Sequence, residues 1–125
     1  MEFKIDTKEA FSIIMPLIDK ISANLTGELY EKWDKMRQSG SKNFIIDLQQ
    51  CTWIDEKSVD NLITMHENSY SNDSSLVFTG VNKEVMSVLK MEEKDLLLNI
   101  APRMDEAIDI ISMEILERDL FKEEE

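Results

Sequence analysis

Two short runs that are apolar almost throughout, Phe44-Ile45-Ile46-Asp47-Leu48 and Leu76-Val77-Phe78-Thr79-Gly80, lie between segments whose apolar residues recur every third or fourth position. This alternation restricts the fold more than any other feature of the chain. A run without a polar side is a strand covered on both faces. The spacing around it is that of helices with one buried stripe. Four such stripes occur: Leu25, Leu29, Trp33 and Met36; Val59, Leu62, Ile63 and His66, extended to Tyr70; Val85, Val88 and Leu89; and Met104, Ala107, Ile108, Ile111 and Ile115. Ser22 or Asn24, Asp55 and Asn82 stand where N-caps are needed. Ser39-Gly40 is a helix stop, and Pro102 breaks the chain before the last helix. Leu96-Leu97-Leu98-Asn99-Ile100 reads as a last short strand.

At the N-terminus Phe3, Ile5 and Thr7 alternate with charged residues, and the following run, Phe11 to Leu17, is apolar apart from Ser12 and Pro16. An edge strand beside a buried one fits this pattern, with Pro16 at a bulge or at a free N–H. The order is then strand, strand, helix, strand, helix, strand, helix, strand, helix. It predicts an α/β fold, a small mostly parallel sheet with an N-terminal edge strand pair and about four helices packed on it. A length of 125 residues accommodates one such core. The expected domain is 1–112, followed by an acidic helical extension or tail, 113–125, with six acids and two bases.

Charge and chemistry narrow the function. A net charge of −12 opposes binding to nucleic acid or to an anionic membrane surface and favours a protein partner. Cys51 and His66 are the single Cys and His, too few for an internal disulfide or a structural zinc site, so no metal and no cofactor is expected, and a reducing, cytoplasmic setting follows. Gly27, Gly40 and Gly80 never cluster, which excludes a phosphate-cradling loop. The N-terminus lacks the apolar core of a signal peptide, and no stretch approaches the roughly 18 apolar residues of a membrane span. Cys51 and His66 as a nucleophile pair have no motif around them, and His66 sits on an apolar stripe as a core-margin residue. Asp55 and Glu56 read as a helix start, and the same turn follows a buried strand at the end of the sheet where open α/β folds place their sites.

The stretches Leu17-Ile18-Asp19-Lys20-Ile21-Ser22-Ala23-Asn24, Phe44 to Leu48, Thr52-Trp53-Ile54-Asp55 and Leu76 to Asn82, in this order and spacing, resemble the STAS domain family of anti-sigma-factor antagonists and sulphate-transporter-associated domains. The resemblance spans about residues 3 to 112 and implies a binding module without catalysis of its own. In the bacterial regulators of that family the second Ser of an Asp-Ser-Ser-Gly motif is phosphorylated by a partner kinase that is also an anti-sigma factor. Here the motif is Asp55-Glu56-Lys57-Ser58, so Lys57 occupies the phosphoacceptor position and Ser58, one residue later, is the alternative phosphosite. Asp19 and Ser22 replace the family's Gly and Asp before the first helix.

The resemblance therefore implies a non-enzymatic regulatory or adaptor protein that binds a kinase-like or anti-sigma-like partner through Asp55, Glu56, Lys57 and Ser58, with Ser22 and Asn24 alongside. The alternative is a small cytosolic subunit of a membrane transport complex. A small enzyme using Asp55, Glu56 and His66 would need a deep pocket joining them. Leu116, Leu120 and Phe121 form an apolar strip for a partner or for a homodimer.

Overall fold

The computed structural model describes residues 1–124. Its main sheet has five strands, in the order β1 (Phe3–Thr7), β2 (Ser12–Pro16), β4 (Phe44–Asp47), β6 (Leu76–Thr79) and β7 (Ile100–Ala101). Strand β1 pairs antiparallel with β2, and β2 pairs parallel with β4. Strands β6 and β7 continue the parallel half. The β2–β4 ladder ends at Ile14↔Ile46, so Pro16 stands past the point where β4 needs an N–H from this strand.

The all-apolar strands are explained by two layers of cover. Phe44, Ile46, Leu76 and Phe78 point into one core beneath α1 (Ala23–Gln38), α2 (Glu56–Ser71) and α3 (Lys83–Leu89). Ile45 and Val77, alternating with them, point into the other beneath α4 (Met104–Glu124), where Ala107 and Ile111 meet them. Trp33 anchors the larger core. Its ring is fully buried, lies edge-on to Tyr30 and Phe44 with centroids 5.3 and 6.3 Å away, and is roofed by the Arg37 guanidinium at 4.3 Å. Among the described residues no helix is long and apolar enough to cross a membrane.

Three features depart from the sequence reading. The run Leu96 to Ile100 is a strand only from Ile100; Met91–Leu97 is a 3₁₀ segment, and Leu96 is 74% exposed. Glu92 and Glu93 there take left-handed backbone (φ 56° and 57°), and Lys94 pins the segment to Asp60 of α2 at 2.8 Å, so the chain first bonds the sheet through the Asn99 carbonyl. On α2 the buried set is Ser58, Val59, Leu62, Met65 and Ser69, so Ile63 moves to the margin, where His66 also stands as expected. Two strands of two residues, β3 (Lys20–Ile21) and β5 (Trp53–Ile54), form a separate parallel pair that periodicity is too short to signal.

Two glycines should respond oppositely to alanine. Gly80 has φ +71°, and a Cβ there would stand 2.6 Å from Asp47 Oδ1 and 3.0 Å from the Gln49 amide, whereas a Cβ on Gly27 meets nothing within 4 Å. Gly80→Ala is expected to cost about 2–4 kcal/mol. Gly27→Ala, inside α1, should add about 0.5–1 kcal/mol. Urea unfolding of the two variants measures both.

Candidate functional site

Strands β3 and β5 run directly into helices, and their register, Ile21↔Ile54, sets the starts of α1 and α2 side by side. Ser22 is the N-cap of α1 and Asp55 that of α2. Ser22 makes no side-chain capping bond; Asp55 serves both helices. Its Oδ1 accepts the Ser58 amide of α2 at 2.7 Å, and its Oδ2 accepts the Ala23 amide of α1 at 3.2 Å. One carboxylate thus satisfies an orphan N–H at two helix termini, where both dipoles favour its charge. Partial burial works against that charge, but hydrogen bonds from Ser58 and Ala23, aided by Lys57, outweigh it and hold the carboxyl below its ordinary value.

A polar seam continues between the helices. The Asn61 amide donates to Thr26 Oγ1 at 2.7 Å, Thr26 donates to the Ala23 carbonyl at 2.9 Å, and the Asn68 amide donates to the Tyr30 hydroxyl at 2.8 Å. Ser58 belongs to this seam. It is fully buried, its hydroxyl 3.4 Å from the Ile21 carbonyl and 3.5 Å from Thr26 Oγ1. A phosphate on Ser58 would have to be buried between α1 and α2, so the residue foreseen as an alternative phosphosite is placed as an interhelical spacer. Asn24, foreseen as a second candidate cap, is exposed beside the seam.

Around this frame the surface carries Glu56 and Lys57 on the first turn of α2 and Asn24 on that of α1. Trp53 adds an aromatic side chain that the sequence reading did not place in the site. It is 46% exposed, because β5 turns Ile54 inward and Trp53 outward, directly beside Lys20 of β3. Two-residue strands carry too little pattern for the sequence to have signalled it.

The structure does not assemble the other foreseen groups. His66 lies ten residues beyond Glu56, about 15 Å along α2 at the helical rise. It packs against Tyr70, the ring centroids 4.6 Å apart and the planes tilted by 38°, and burial lowers its pKa against the opposing pull of Glu114 and Glu67. The buried Cys51 thiol donates to the Trp53 carbonyl at 3.1 Å, and burial raises its pKa, which suits a structural thiol rather than a nucleophile. The cavity bordered by Glu56, Val59 and Lys94 measures about 20 Å³ and reaches neither Asp55 nor His66. That volume holds about one water. The exposed strip on α4 is real, with Leu116, Leu120 and Phe121 all at the surface, but Arg118 between them bonds back to Ser75 and Asn43.

The sequence profile of the STAS domain matches residues 4–107. No curated protein matches the chain by sequence. Among solved structures, a putative anti-sigma factor antagonist from Thermotoga maritima superposes with a TM-score of 0.76 at 20% identity, covering 88% of this chain and 94% of its own. An anti-sigma factor antagonist from Mycobacterium paratuberculosis gives 0.76 at 11%, covering 89% and 93%. The anti-sigma factor antagonist SpoIIAA in its unphosphorylated form gives 0.70 at 13%, covering 89% and 96%. At these identities the likeness is one of fold.

Because Asp55 has its pKa lowered by folding, its charge stabilises the native state fully above the unfolded carboxylate range, near pH 4, and that contribution fades as pH falls through the lower folded value. Asp55→Ala is expected to cost about 2 kcal/mol at pH 7, more than an ordinary cap because two helices lose a partner. Asp55→Asn should be less stable than wild type at pH 7, and the gap should narrow below pH 4. Urea unfolding of the three proteins at both pH values measures this.

Proposed function

The chain belongs to the STAS domain family, and on that premise we propose that it is a non-catalytic regulatory or adaptor protein that holds a protein partner as an anti-sigma factor antagonist does. The contact surface is the exposed side of the turn, Glu56 and Lys57 beside Asp55, with the helix that follows, flanked by Ser22 and Asn24; Ser58, foreseen as part of it, is buried against α1 and touches no partner. The observation that carries this reading is the exposed Trp53 and Lys57 on a frame that Asp55 makes rigid. Aromatic side chains that are exposed and backed by fixed structure are the residues that anchor protein interfaces.

Lys57 itself supports a binding role. A cation on the first turn of a helix opposes the helix dipole and lowers stability by a few tenths of a kcal/mol or more. Its attraction to the Asp55 carboxylate offsets part of that cost. At the position where the bacterial regulators place a phosphorylated serine, a fixed positive charge makes the partner preference permanent rather than switched. Glu56, beside it, satisfies the dipole in the usual sense.

The proposal separates binding from stability. Lys57→Glu should change the unfolding free energy by less than about 1 kcal/mol, because the gain with the helix dipole is offset by the lost attraction to Asp55, while removing the partner recovered with the wild-type protein from its own cell. Trp53→Ala should remove the same partner with little change in stability. Recovery of an identical partner by all three proteins, in quantitative pull-downs, would place the interface elsewhere.

A further inference from the structure

The parallel sheet has a second end. Opposite the α2 start, where β4 and β6 begin, a groove of about 420 Å³ opens between Lys42-Asn43, Asp73 and the outer half of α4. Its volume falls within the usual range for small-ligand pockets. Arg118 forms its floor. The guanidinium donates to Ser75 Oγ at 3.0 Å and to Asn43 Oδ1 at 2.9 Å, and the Asn43 oxygen also accepts the Ser75 amide at 3.0 Å. Asn43 and Ser75 are buried, so the guanidinium is held in one orientation by fixed partners.

Both of those acceptors are neutral. Among the described residues no carboxylate oxygen lies within salt-bridge distance of Arg118. Glu114 reaches the same Ser75 hydroxyl, 2.5 Å away, but its oxygens are also committed to the Tyr70 hydroxyl at 2.7 Å and the Asn99 amide at 3.3 Å. In a chain of net charge −12, a half-buried arginine with neutral partners is a site that an incoming anion can complete. Two of the five guanidinium N–H donors are used on Ser75 and Asn43, and the rest can serve a carboxylate through two parallel hydrogen bonds.

The rest of the lining sets the ligand's charge and shape. Lys42 and Lys122 add two cations, and Asp73 and Asp119 add two carboxylates, so with Arg118 the lining carries a surplus of one positive charge, part of it offset by Glu114 behind Ser75, which favours a singly charged anion over a multiply charged one. Ile115 and Phe121 supply an apolar wall beside the charged floor. We propose that this groove binds a monocarboxylate with an apolar tail, the headgroup on Arg118 and the tail along Ile115 and Phe121, at the end of the sheet away from the α2 turn. The proposal is independent of the partner surface proposed above.

The probe is sodium octanoate titrated into the full chain, followed by calorimetry and by amide NMR shifts. Saturable one-to-one binding with a dissociation constant near or below about 1 mM is expected, with shifts at Lys42, Asn43, Arg118 and Phe121 and none at Trp53 or Lys57. Lys42→Glu and Phe121→Ala, both at exposed positions, should each weaken it about fivefold, and Arg118→Gln about tenfold or more. Arg118→Gln also loosens α4, so the exposed variants carry the decision if that protein unfolds. Acetate and octanol, lacking tail or charge, should bind at least about tenfold more weakly. Octanol binding as tightly as octanoate, inorganic phosphate binding more tightly, or shifts confined to other surfaces would each overturn the proposal.

Discussion

The bifurcated role of Asp55 is the constraint on which the end of the molecule where α1 and α2 begin depends. A carboxylate that accepts one N–H from each of two helices fixes their termini relative to one another, and it does so where β3 and β5 have already brought them into register. Removing either component leaves the other weak: two-residue strands are marginal alone, and a shared cap needs its helices in place. Together they hold Trp53, Glu56 and Lys57 on a surface whose shape does not depend on those side chains.

The same interaction explains why Ser58 and Lys57, neighbours in sequence, have opposite fates. Capping sets the rotation of α2, and at about 100° per residue that rotation sends Ser58 into the α1 seam and Lys57 outward. A small side chain is required at 58 because α1 passes there, with Thr26 Oγ1 3.5 Å from the serine oxygen. The side chains this turn presents to solvent are therefore the exposed pair, Glu56 and Lys57, with Trp53 beside them.

Much of this was legible in the chain. Strands covered on both faces announced themselves as apolar runs, and the caps at Asp55 and Asn82 were identifiable from residue type; Asn82 accepts the Val85 amide at 2.8 Å as a cap should. What was not legible depends on contacts distant in sequence. The second bond of Asp55, to Ala23, spans 32 residues, and no local pattern encodes it. Leu96 and Leu97 look like strand residues, yet the Lys94–Asp60 bond and the left-handed Glu92 and Glu93 keep that stretch out of the sheet. The continuation of α4 beyond Ile115 likewise rests on Arg118 finding Ser75 and Asn43, at separations of 43 and 75 residues.

The two ends of the sheet are thus built differently. One end carries an aromatic and a cation on a doubly capped frame, and the other a guanidinium set in neutral partners above an apolar wall. The claim that orders the first is that a single carboxylate caps both helices. Amide NMR shifts of Ala23 and Ser58 followed through acid pH test it most directly. Both amides should titrate with one shared midpoint, below the ordinary aspartate value, and both responses should vanish in Asp55→Asn. Movement of Ser58 alone, or two separate midpoints, would contradict it.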